Sequence, residues 1–250
     1  MDLRERPEAS FVRHPWETAR CDHFLSVARV FAPARGLRSV LDVGAGDAWV
    51  AGELARASSD CRVTCWDLGY TPEVVAGLAA QAPEGVEFAA SQPSRRFDLI
   101  LLLDVLEHVE KDDLLLGDLV RGNLEPGGRV IVSVPAWPGL FSRHDVALGH
   151  HRRYRPAEAR ALVEGADLRM LAGGGLFHGL LSLRFLGRLL ERRGEPAETE
   201  ADPLAWSGSP GLARFVAAGL RLENALSRAL ARRRVELPGL SWWAVCEKSA

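Results

Sequence analysis

The chain has 250 residues, of which 47% are hydrophobic and 26% are charged, and its formal net charge is -2. This length and composition are typical of one globular domain with a large apolar core and room for an added subdomain. A net charge near zero gives no electrostatic reason to expect a nucleic acid as a partner. No apolar run reaches the roughly 18 residues that a transmembrane helix needs, and the first residues lack the pattern of a secretory signal. We therefore expect a soluble, cytoplasmic protein.

Short apolar strands alternate with helices along most of the chain. A first helix is predicted from Pro15 to about Phe31, where apolar residues recur at helical spacing. The predicted strands are residues 38–43, 61–66, 86–89, 97–103, 128–134, 168–174 and 241–247. The predicted helices between them are residues 47–58, 71–81, 111–124 and 156–165. This alternation indicates an α/β fold with parallel strands, in which ligands bind at the carboxyl ends of the strands.

Two amphipathic helices are predicted between the sixth and seventh strands, at residues 175–193 and 211–234. The first of them carries arginines every four residues, at Arg184, Arg188 and Arg192. Arginines beside an apolar face are typical of a helix that rests on a membrane surface, and they are also common on solvated helices. A peripheral membrane contact through residues 176–193, a lid over a soluble substrate and a dimer face therefore all stay open.

We divide the chain into an N-terminal helical lid, residues 1–35, and a main domain, residues 36–250. A helical insertion at residues 176–236 interrupts the main domain before its last strand. In an α/β enzyme a leading helix often closes over the ligand, and a plain packing helix fits the pattern equally well. The oligomeric state is left open, with a dimer as one outcome.

The stretch of residues 40–50 has the pattern of a nucleotide-binding turn. A buried strand breaks at Gly44 and Gly46 and continues into a helix, so a ligand can approach the unpaired N–H groups at the helix start. Asp67 follows the second strand about twenty residues later, where a carboxylate can bind the two hydroxyls of a ribose. A dinucleotide-binding turn needs a third glycine where this chain has Trp49. The pattern therefore disfavours NAD and FAD.

With Asp42 ahead of the two glycines, the phrase resembles the first motif of class I S-adenosylmethionine-dependent methyltransferases, with Ala48 in the place of that family's third glycine. The resemblance extends over about residues 36–175 and the closing strand. It implies a Rossmann-like, doubly wound sheet of seven strands in the order 3-2-1-4-5-7-6, with the last strand antiparallel. It also implies S-adenosyl-L-methionine as the cofactor and S-adenosyl-L-homocysteine as the product.

The resemblance further implies which residues bind each part of the cofactor. Asp67 would take the ribose hydroxyls, Leu68 would lie against the adenine, and Asp104 with Val105 would lie near the sulfonium. The usual acid for the adenine amino group is missing, so main-chain contacts around Ser91 and Gln92 would replace it. The residues at the methionine part would be Asp42, Gly44, Ala45 and Gly46.

The segment from Asp104 to His108 directly follows the fourth strand and resembles the (D/E)-V-L-E-H-V segment of methyltransferases that act on small molecules. If a helical turn begins at Asp104, then Asp104, Glu107 and His108 share one face. Three interpretations stay open: a divalent metal ion held with a later histidine, deprotonation of the substrate by His108, and a helix start with a packed histidine. We assign no metal ligands, and we assign His108 to the substrate site.

A second cluster follows the fifth strand and resembles a methyltransferase subgroup with an H-D…G-H-x-R-R-Y segment. Proton-handling and anion-pairing side chains are dense there, as expected for an acceptor site. The alternative is structural, with Arg153 paired to an acid of the domain and Tyr154 merely preceding a helix. The catalytic candidates are His144, His150, His151 and Tyr154, and the candidates for substrate binding are Trp137, Arg152 and Arg153.

Together these patterns predict an S-adenosylmethionine-dependent methyltransferase that acts on a small-molecule or lipid-like acceptor by in-line transfer. The sulfonium is already activated, so the protein chiefly has to orient the two reactants and exclude water. Oxygen, nitrogen and carbon all stay open as the accepting atom. The alternatives are a non-catalytic module that binds the same cofactor and, less favoured because of Trp49, a nicotinamide-dependent dehydrogenase.

Overall fold

The computed structural model describes residues 13–58, 60–191 and 209–248. The N-terminal residues 1–12 lie outside this range. Most of the predicted polar linker between the two inserted helices, and Arg192 before it, lie outside it as well. The statements below concern the described residues.

The structure contains eight α-helices and seven strands within the described ranges. The helices are α1 (Pro15–Val30), α2 (Trp49–Ala57), α3 (Pro72–Ala79), α4 (Asp112–Gly122), α5 (Arg143–Leu148), α6 (Pro156–Gly165), α7 (His178–Glu191) and α8 (Pro210–Ala231). The strands are β1 (Ser39–Val43), β2 (Arg62–Trp66), β3 (Val86–Ala89), β4 (Phe97–Leu103), β5 (Leu124–Pro135), β6 (Leu168–Leu176) and β7 (Ser241–Lys248). Short 3-10 turns cover Leu106–His108 and Pro138–Leu140.

The seven strands form one sheet in the order β3-β2-β1-β4-β5-β7-β6, which confirms the predicted topology. Strands β1 to β5 pair in parallel, whereas β7 runs antiparallel to both of its neighbours, β5 and β6. The carboxyl ends of β1, β2, β4 and β5 therefore lie along one edge of the sheet. In a sheet of this kind the crevice for ligands opens at that edge.

Helices cover both faces of the sheet, which explains why the central strands are almost wholly apolar. Neighbouring residues of one strand enter different cores: Val40 packs with α1, α2 and α8, whereas Leu41 packs with α4 and α6. Trp242 and Trp243 of β7 divide in the same way, and both are buried. The period of two along a strand produces this division.

Helix α5 was not predicted from the sequence. It is only six residues long, and it begins where Ser142 and Asp145 form a capping box, with each side chain bonded to the other residue's backbone N–H. The signal S-x-x-D was present, but one turn and a half shows too little apolar periodicity to predict a helix. This helix matters because it carries Asp145 into the interior.

The inserted helices differ in how they pack. Helix α8 lies on α1 and β6, where Asn224 accepts a hydrogen bond from the Phe177 N–H and Arg221 pairs with Asp22. Helix α7 projects from the end of β6: Leu181 is buried, whereas residues 182–186 are exposed. Among the described residues no helix is long and apolar enough to cross a membrane.

Candidate active site

The turn after β1 is closed tightly against the end of β4. Gly44 has a φ of +62°, and its N–H donates to the Trp66 carbonyl at 2.7 Å. A Cβ atom on Gly44 would lie 2.9 Å from Cγ2 of Val105, so this position requires glycine for space as well as for conformation. The missing side chain leaves the main chain accessible beside the start of α2.

Asp67 is connected to this turn by hydrogen bonds. Its Oδ2 accepts from the Gly46 N–H at 2.9 Å, and its Oδ1 accepts from the Gly69 N–H at 2.7 Å. The Tyr70 hydroxyl donates to the Gly46 carbonyl at 3.0 Å and fixes the turn from below. A carboxylate has about four lone-pair positions, so two remain for the hydroxyls of a ribose.

Ala48 adopts the left-handed conformation, with a φ of +58°, and α2 begins at the next residue, Trp49. This is the position of the family's third glycine, and alanine there is strained. The indole of Trp49 lies under the Arg13 guanidinium at 4.1 Å, and Arg13 also pairs with Asp47. The N-terminal helix region is thus attached directly to the glycine turn.

A buried carboxyl, Asp42, and a half-buried one, Asp104, lie on the side of the turn that faces α1. Asp42 is 4% exposed, and burial raises its pKa to about 7. Asp104 forms an ion pair with Arg20 of α1 and accepts a hydrogen bond from the Ser133 hydroxyl at 2.8 Å. Arg20 is a site residue that the sequence analysis missed, because α1 carries no motif and the contact joins residues 84 positions apart.

In the region predicted to bind adenine, the apolar side chain of Leu68 is exposed, and the side-chain amide of Gln92 is hydrogen-bonded within the protein. Leu68 is 87% exposed at the end of β2, and an aromatic ring could cover it. The Gln92 side chain donates to Oδ1 of Asn123 at 2.7 Å, whereas Ser91 is exposed. The Gln92 amide is thus engaged within the protein, which leaves the main chain of this segment for an adenine ring.

Backbone strain concentrates at the carboxyl edge of the sheet. Asp104, Trp137 and Phe177 have φ values of +57°, +67° and +62°, and each lies one or two residues beyond the end of a strand. Such conformations cost of order 1 to 3 kcal/mol each and cluster at functional sites. The carboxyl edge of the sheet, beside the glycine turn, therefore carries three residues with strained backbone dihedral angles.

Asp145 is the centre of the cluster that follows β5. It has no exposed surface, and it accepts hydrogen bonds from the Ser142 N–H at 2.8 Å, from Nε of Arg153 at 2.8 Å and from Nδ1 of His150 at 3.0 Å. Burial alone would raise the pKa of this carboxyl, but the hydrogen bonds from His150 and Arg153 outweigh burial and hold the pKa well below its usual range. Asp145 is therefore ionised at neutral pH and orients the His150 ring. The H-D pair in the sequence is the signal that could have identified it.

His150 brings the two predicted clusters together. Its ring packs edge-on against the ring of His108, with centroids 4.6 Å apart. The His151 N–H donates to the Glu107 carbonyl at 2.7 Å, which attaches the second loop to the first. The Glu107 side chain is completely buried, and burial raises its pKa to about 8. Asp104 is not on a common helical face with Glu107 and His108, because the 3-10 turn begins only at Leu106.

The remaining candidates divide between the interior and the acceptor edge. Tyr154 is buried and donates to Asp112 at 2.7 Å, and burial together with this bond raises its pKa above the ordinary value. Arg152 also pairs with Asp112, at 3.2 Å. Arg153 pairs with Asp145, as expected from the alternative in which this segment has a structural role. The His151 side chain is exposed and lies outside the cluster.

His144 and Trp137 lie on the side of the site that α7 borders. Burial lowers the pKa of His144, and the positive charge of Arg184 on α7 lowers it further. The Trp137 indole donates to the Gly239 carbonyl at 2.8 Å and contacts the Phe185 ring, with centroids 6.5 Å apart. A cavity of about 230 Å³ opens beside Trp137, between the end of β5 and the start of β7. Helix α7 therefore lies against the loop after β5 at Trp137.

Comparison with known proteins agrees with this geometry. The family model described as a methyltransferase domain matches residues 16–194. The chain is 31% identical over 175 residues to the ubiquinone biosynthesis O-methyltransferase of Pectobacterium atrosepticum, which covers 61% of this chain and 71% of that protein. The chain therefore belongs to the S-adenosylmethionine-dependent methyltransferases.

Other relatives match a shorter stretch. An uncharacterized methyltransferase of Mycobacterium sp. (strain JLS) is 36% identical over 124 residues, and the match covers 46% of each chain. The chain thus spans about half the length of the mycobacterial relative, which leaves the activity of that whole protein outside the comparison.

Solved structures share the fold at low identity. The N-methyltransferase NodS of Bradyrhizobium japonicum WM9 has a TM-score of 0.54 at 14% identity and covers 94% of this chain and 98% of that one. A SAM-dependent methyltransferase of Archaeoglobus fulgidus has a TM-score of 0.52 at 14% identity, with 93% and 97% covered. The protein is an enzyme with S-adenosyl-L-methionine as its cofactor, on a Rossmann-like fold.

Proposed function

We propose that this methyltransferase methylates a hydroxyl group of a small apolar or lipid-like acceptor, and that His150, oriented by Asp145, positions that hydroxyl. The observation that carries the proposal is the hydrogen bond between Nδ1 of His150 and the buried Asp145 carboxylate. Because this bond occupies Nδ1, the other ring nitrogen, Nε2, is the one available to the acceptor. Membership of the subgroup with the H-D…G-H-x-R-R-Y segment is part of the proposal.

The residues of the glycine turn fit the cofactor. The exposed main chain at Gly44 and the buried Asp42 would hold the methionine part, and Asp67, which is fixed by the Gly46 N–H, would hold the ribose. Bound S-adenosyl-L-methionine supplies a methyl group that is already activated by its sulfonium. Arg20 and Arg13 attach α1 over this region through Asp104 and Asp47, which supports a lid at residues 1–35 that excludes water.

A hydroxyl is the type of acceptor that the hydrogen-bonded pair of His150 and Asp145 suits best. A neutral hydroxyl is a weak nucleophile, and it must be aligned with the methyl carbon and lose its proton as the bond forms. An imidazole whose tautomer is set by a carboxylate can accept the hydroxyl hydrogen bond in one fixed direction. The O-methyltransferase named among the relatives supports oxygen as the accepting atom.

The surface of α7 supports an apolar acceptor. Leu183, Phe185 and Leu186 are 64%, 49% and 54% exposed, and Phe185 touches Trp137 at the acceptor side. Arg184 lies among them and carries the charge that an anionic membrane surface attracts. We include in the proposal that this helix rests on a lipid surface and delivers a lipid-like acceptor to Trp137.

The test is methyl transfer from labelled S-adenosyl-L-methionine to a panel of hydroxylated and aminated apolar aromatics. We expect hydroxylated compounds to be methylated, and we expect His150→Gln to lower kcat by about 100-fold or more, since positioned proton-handling groups contribute typically 10²–10⁴-fold. Arg143→Gln, an exposed change on helix α5 just before the His150 loop, serves as the matched control and should retain wild-type turnover. Exclusive methylation of amines, or full turnover by His150→Gln, would overturn the proposal.

A further inference from the structure

Glu107 has a buried carboxyl group that forms no hydrogen bond in the described part of the chain. The residue is 0% exposed, and neither of its carboxyl oxygens has a hydrogen-bond partner among the described residues. A buried polar group left unsatisfied in this way costs free energy, and a native structure tolerates it where a ligand or ion completes the group. The acceptor role of His150 leaves Glu107 unexplained.

Two histidines provide ligand atoms at the same point. One side-chain atom of Glu107, one of His108 and one of His150 all lie within 4.8 Å of one another. The ligand atoms around a four-coordinate zinc ion lie roughly 3.3 Å apart, so modest rotation of the side chains would bring these three into coordination. The set joins the turn after β4 to the loop after α5, which are separate in sequence.

We propose that Glu107, His108 and His150 bind a divalent transition-metal ion of the zinc type. Two imidazoles and one carboxylate are ligands that zinc and its neighbours accept, whereas magnesium and calcium prefer oxygen alone. Three protein ligands leave at least one position open, as in catalytic zinc sites. From the sequence, a divalent ion held with a later histidine was one open interpretation, and no metal ligands were assigned; the structure brings His150, 42 positions away, beside Glu107 and His108.

Asp145 supplies the support that such a ligand needs. A histidine that binds a metal almost always donates its other ring N–H to a carboxylate or carbonyl. Nδ1 of His150 meets Asp145 at 3.0 Å, so Nε2 would face the ion. Asp145 is itself held by Ser142 and Arg153, which fixes the ring before any ion arrives.

The charges around Glu107 allow a cation. The guanidinium groups whose positive charge acts on Glu107 are those of Arg20 and Arg153, and each is already paired with a carboxylate, Asp104 and Asp145 respectively. Within the described ranges, the Glu107 carboxyl forms no such ion pair. The negative charge of the buried Glu107 carboxylate would therefore compensate the positive charge of a bound divalent ion.

The metal site extends the proposed function. Ion binding itself does not depend on that function, whereas the catalytic role of the ion rests on it. With the ion bound, Nε2 of His150 would be a metal ligand, so the ion would take over from the imidazole the task of holding the acceptor hydroxyl. At the open position the hydroxyl would bind the ion, which would lower the pKa of the hydroxyl and fix its direction. The proton would leave to solvent, the oxygen would form the new bond to the methyl carbon, and the pair of the broken carbon–sulfur bond would remain on sulfur. No oxidant or reductant is required.

The experiment titrates Co²⁺ and Zn²⁺ into the tag-free, chelator-treated full chain, followed by calorimetry and by the visible absorption of Co²⁺. We expect one ion per chain and the absorption of a four- or five-coordinate site. Glu107→Gln and His150→Gln should each weaken binding at least tenfold, and Asp145→Asn should weaken it by about 10- to 100-fold. His151→Gln, an exposed histidine next to the site, is the matched control and should bind the ion as the wild type does.

Binding of S-adenosyl-L-methionine by each variant shows that the variant is folded. Absence of a stoichiometric ion in the wild type, or Co²⁺ binding that Glu107→Gln leaves unchanged, would overturn the metal site. These measurements use neither acceptor nor turnover. A negative result in the metal titration therefore does not bear on methyl transfer, and a negative result in the methylation assay does not bear on metal binding.

Discussion

The backbone N–H of Gly46 donates a hydrogen bond to Oδ2 of Asp67 at 2.9 Å, and this bond joins the turn after β1 to the end of β2. The two residues that the sequence marks separately therefore act as one unit. The turn holds the carboxylate in place without any ligand, so little side-chain freedom would remain to be lost if a ribose binds there, as we propose.

The first prediction follows from this unit. Asp67→Ala should weaken the binding of S-adenosyl-L-methionine by about 1–3 kcal/mol, which is roughly 5- to 150-fold, because a charged hydrogen-bond acceptor is lost. Calorimetric titration measures the change, with Glu84→Ala, an exposed acid before β3, as the control. Unchanged affinity in Asp67→Ala would refute the ribose assignment.

The second prediction concerns the strained alanine before α2. Ala48 has a φ of +58°, a conformation that costs an L-residue roughly 1–2 kcal/mol and glycine almost nothing. Ala48→Gly should raise the free energy of unfolding by up to about 1 kcal/mol, since the greater entropy of glycine in the unfolded chain offsets part of the relief.

Urea unfolding measures this gain against Ala51→Gly, which lies within the same helix and is fully buried. That control should destabilise the protein by about 1 kcal/mol or more, because glycine is unfavourable inside a helix. Destabilisation by both changes would contradict the assigned conformation of Ala48.

The third prediction is a pH dependence of stability caused by Asp42. Burial raises the pKa of this carboxyl from 3.8 to about 7, so the folded state favours the protonated form. The contribution of Asp42 to stability is fully present below about pH 4 and is lost as the pH rises to about 7, a loss of roughly 4 kcal/mol. Asp42→Asn cannot ionise and should not show this loss.

Unfolding free energies of the cofactor-free protein, measured from pH 4 to pH 8, give the comparison. The wild type should lose stability relative to Asp42→Asn across that range. Parallel curves for the two proteins would show that Asp42 ionises in the folded state as it does in the unfolded one.

The fourth prediction concerns the exposed face of α7. The wild type should float with vesicles that contain phosphatidylglycerol, and the double change Leu183→Ser with Leu186→Ser should abolish most of that binding, because both leucines are more than half exposed. Leu114→Ser, at a 52% exposed position on α4, is the control and should float as the wild type does. A wild type that stays unbound would remove the membrane part of the proposal.

The strands and the glycine turn were predicted closely from local patterns, and the strand order followed from the resemblance to class I methyltransferases, whereas the acceptor side was left unresolved. Strands such as β4 and the glycine turn can be recognised from consecutive residues, because an apolar run and residues without a Cβ atom directly favour these local conformations. The predicted bounds of β3 and β4 coincide with those observed, and α2 begins two residues later than predicted because Ala48 is left-handed.

By itself, the sequence determined the class of fold, the position of the glycine turn and the acidic residue after β2, since each depends on neighbours within one element or on a known spacing between two. Only the tertiary structure decided which histidine meets Asp145, that Arg20 reaches Asp104, and that Glu107 is buried without a hydrogen-bond partner among the residues that the structure describes. These contacts join residues from different elements across the carboxyl edge of the sheet. Their geometry depends on how the loops pack there, which no local pattern encodes.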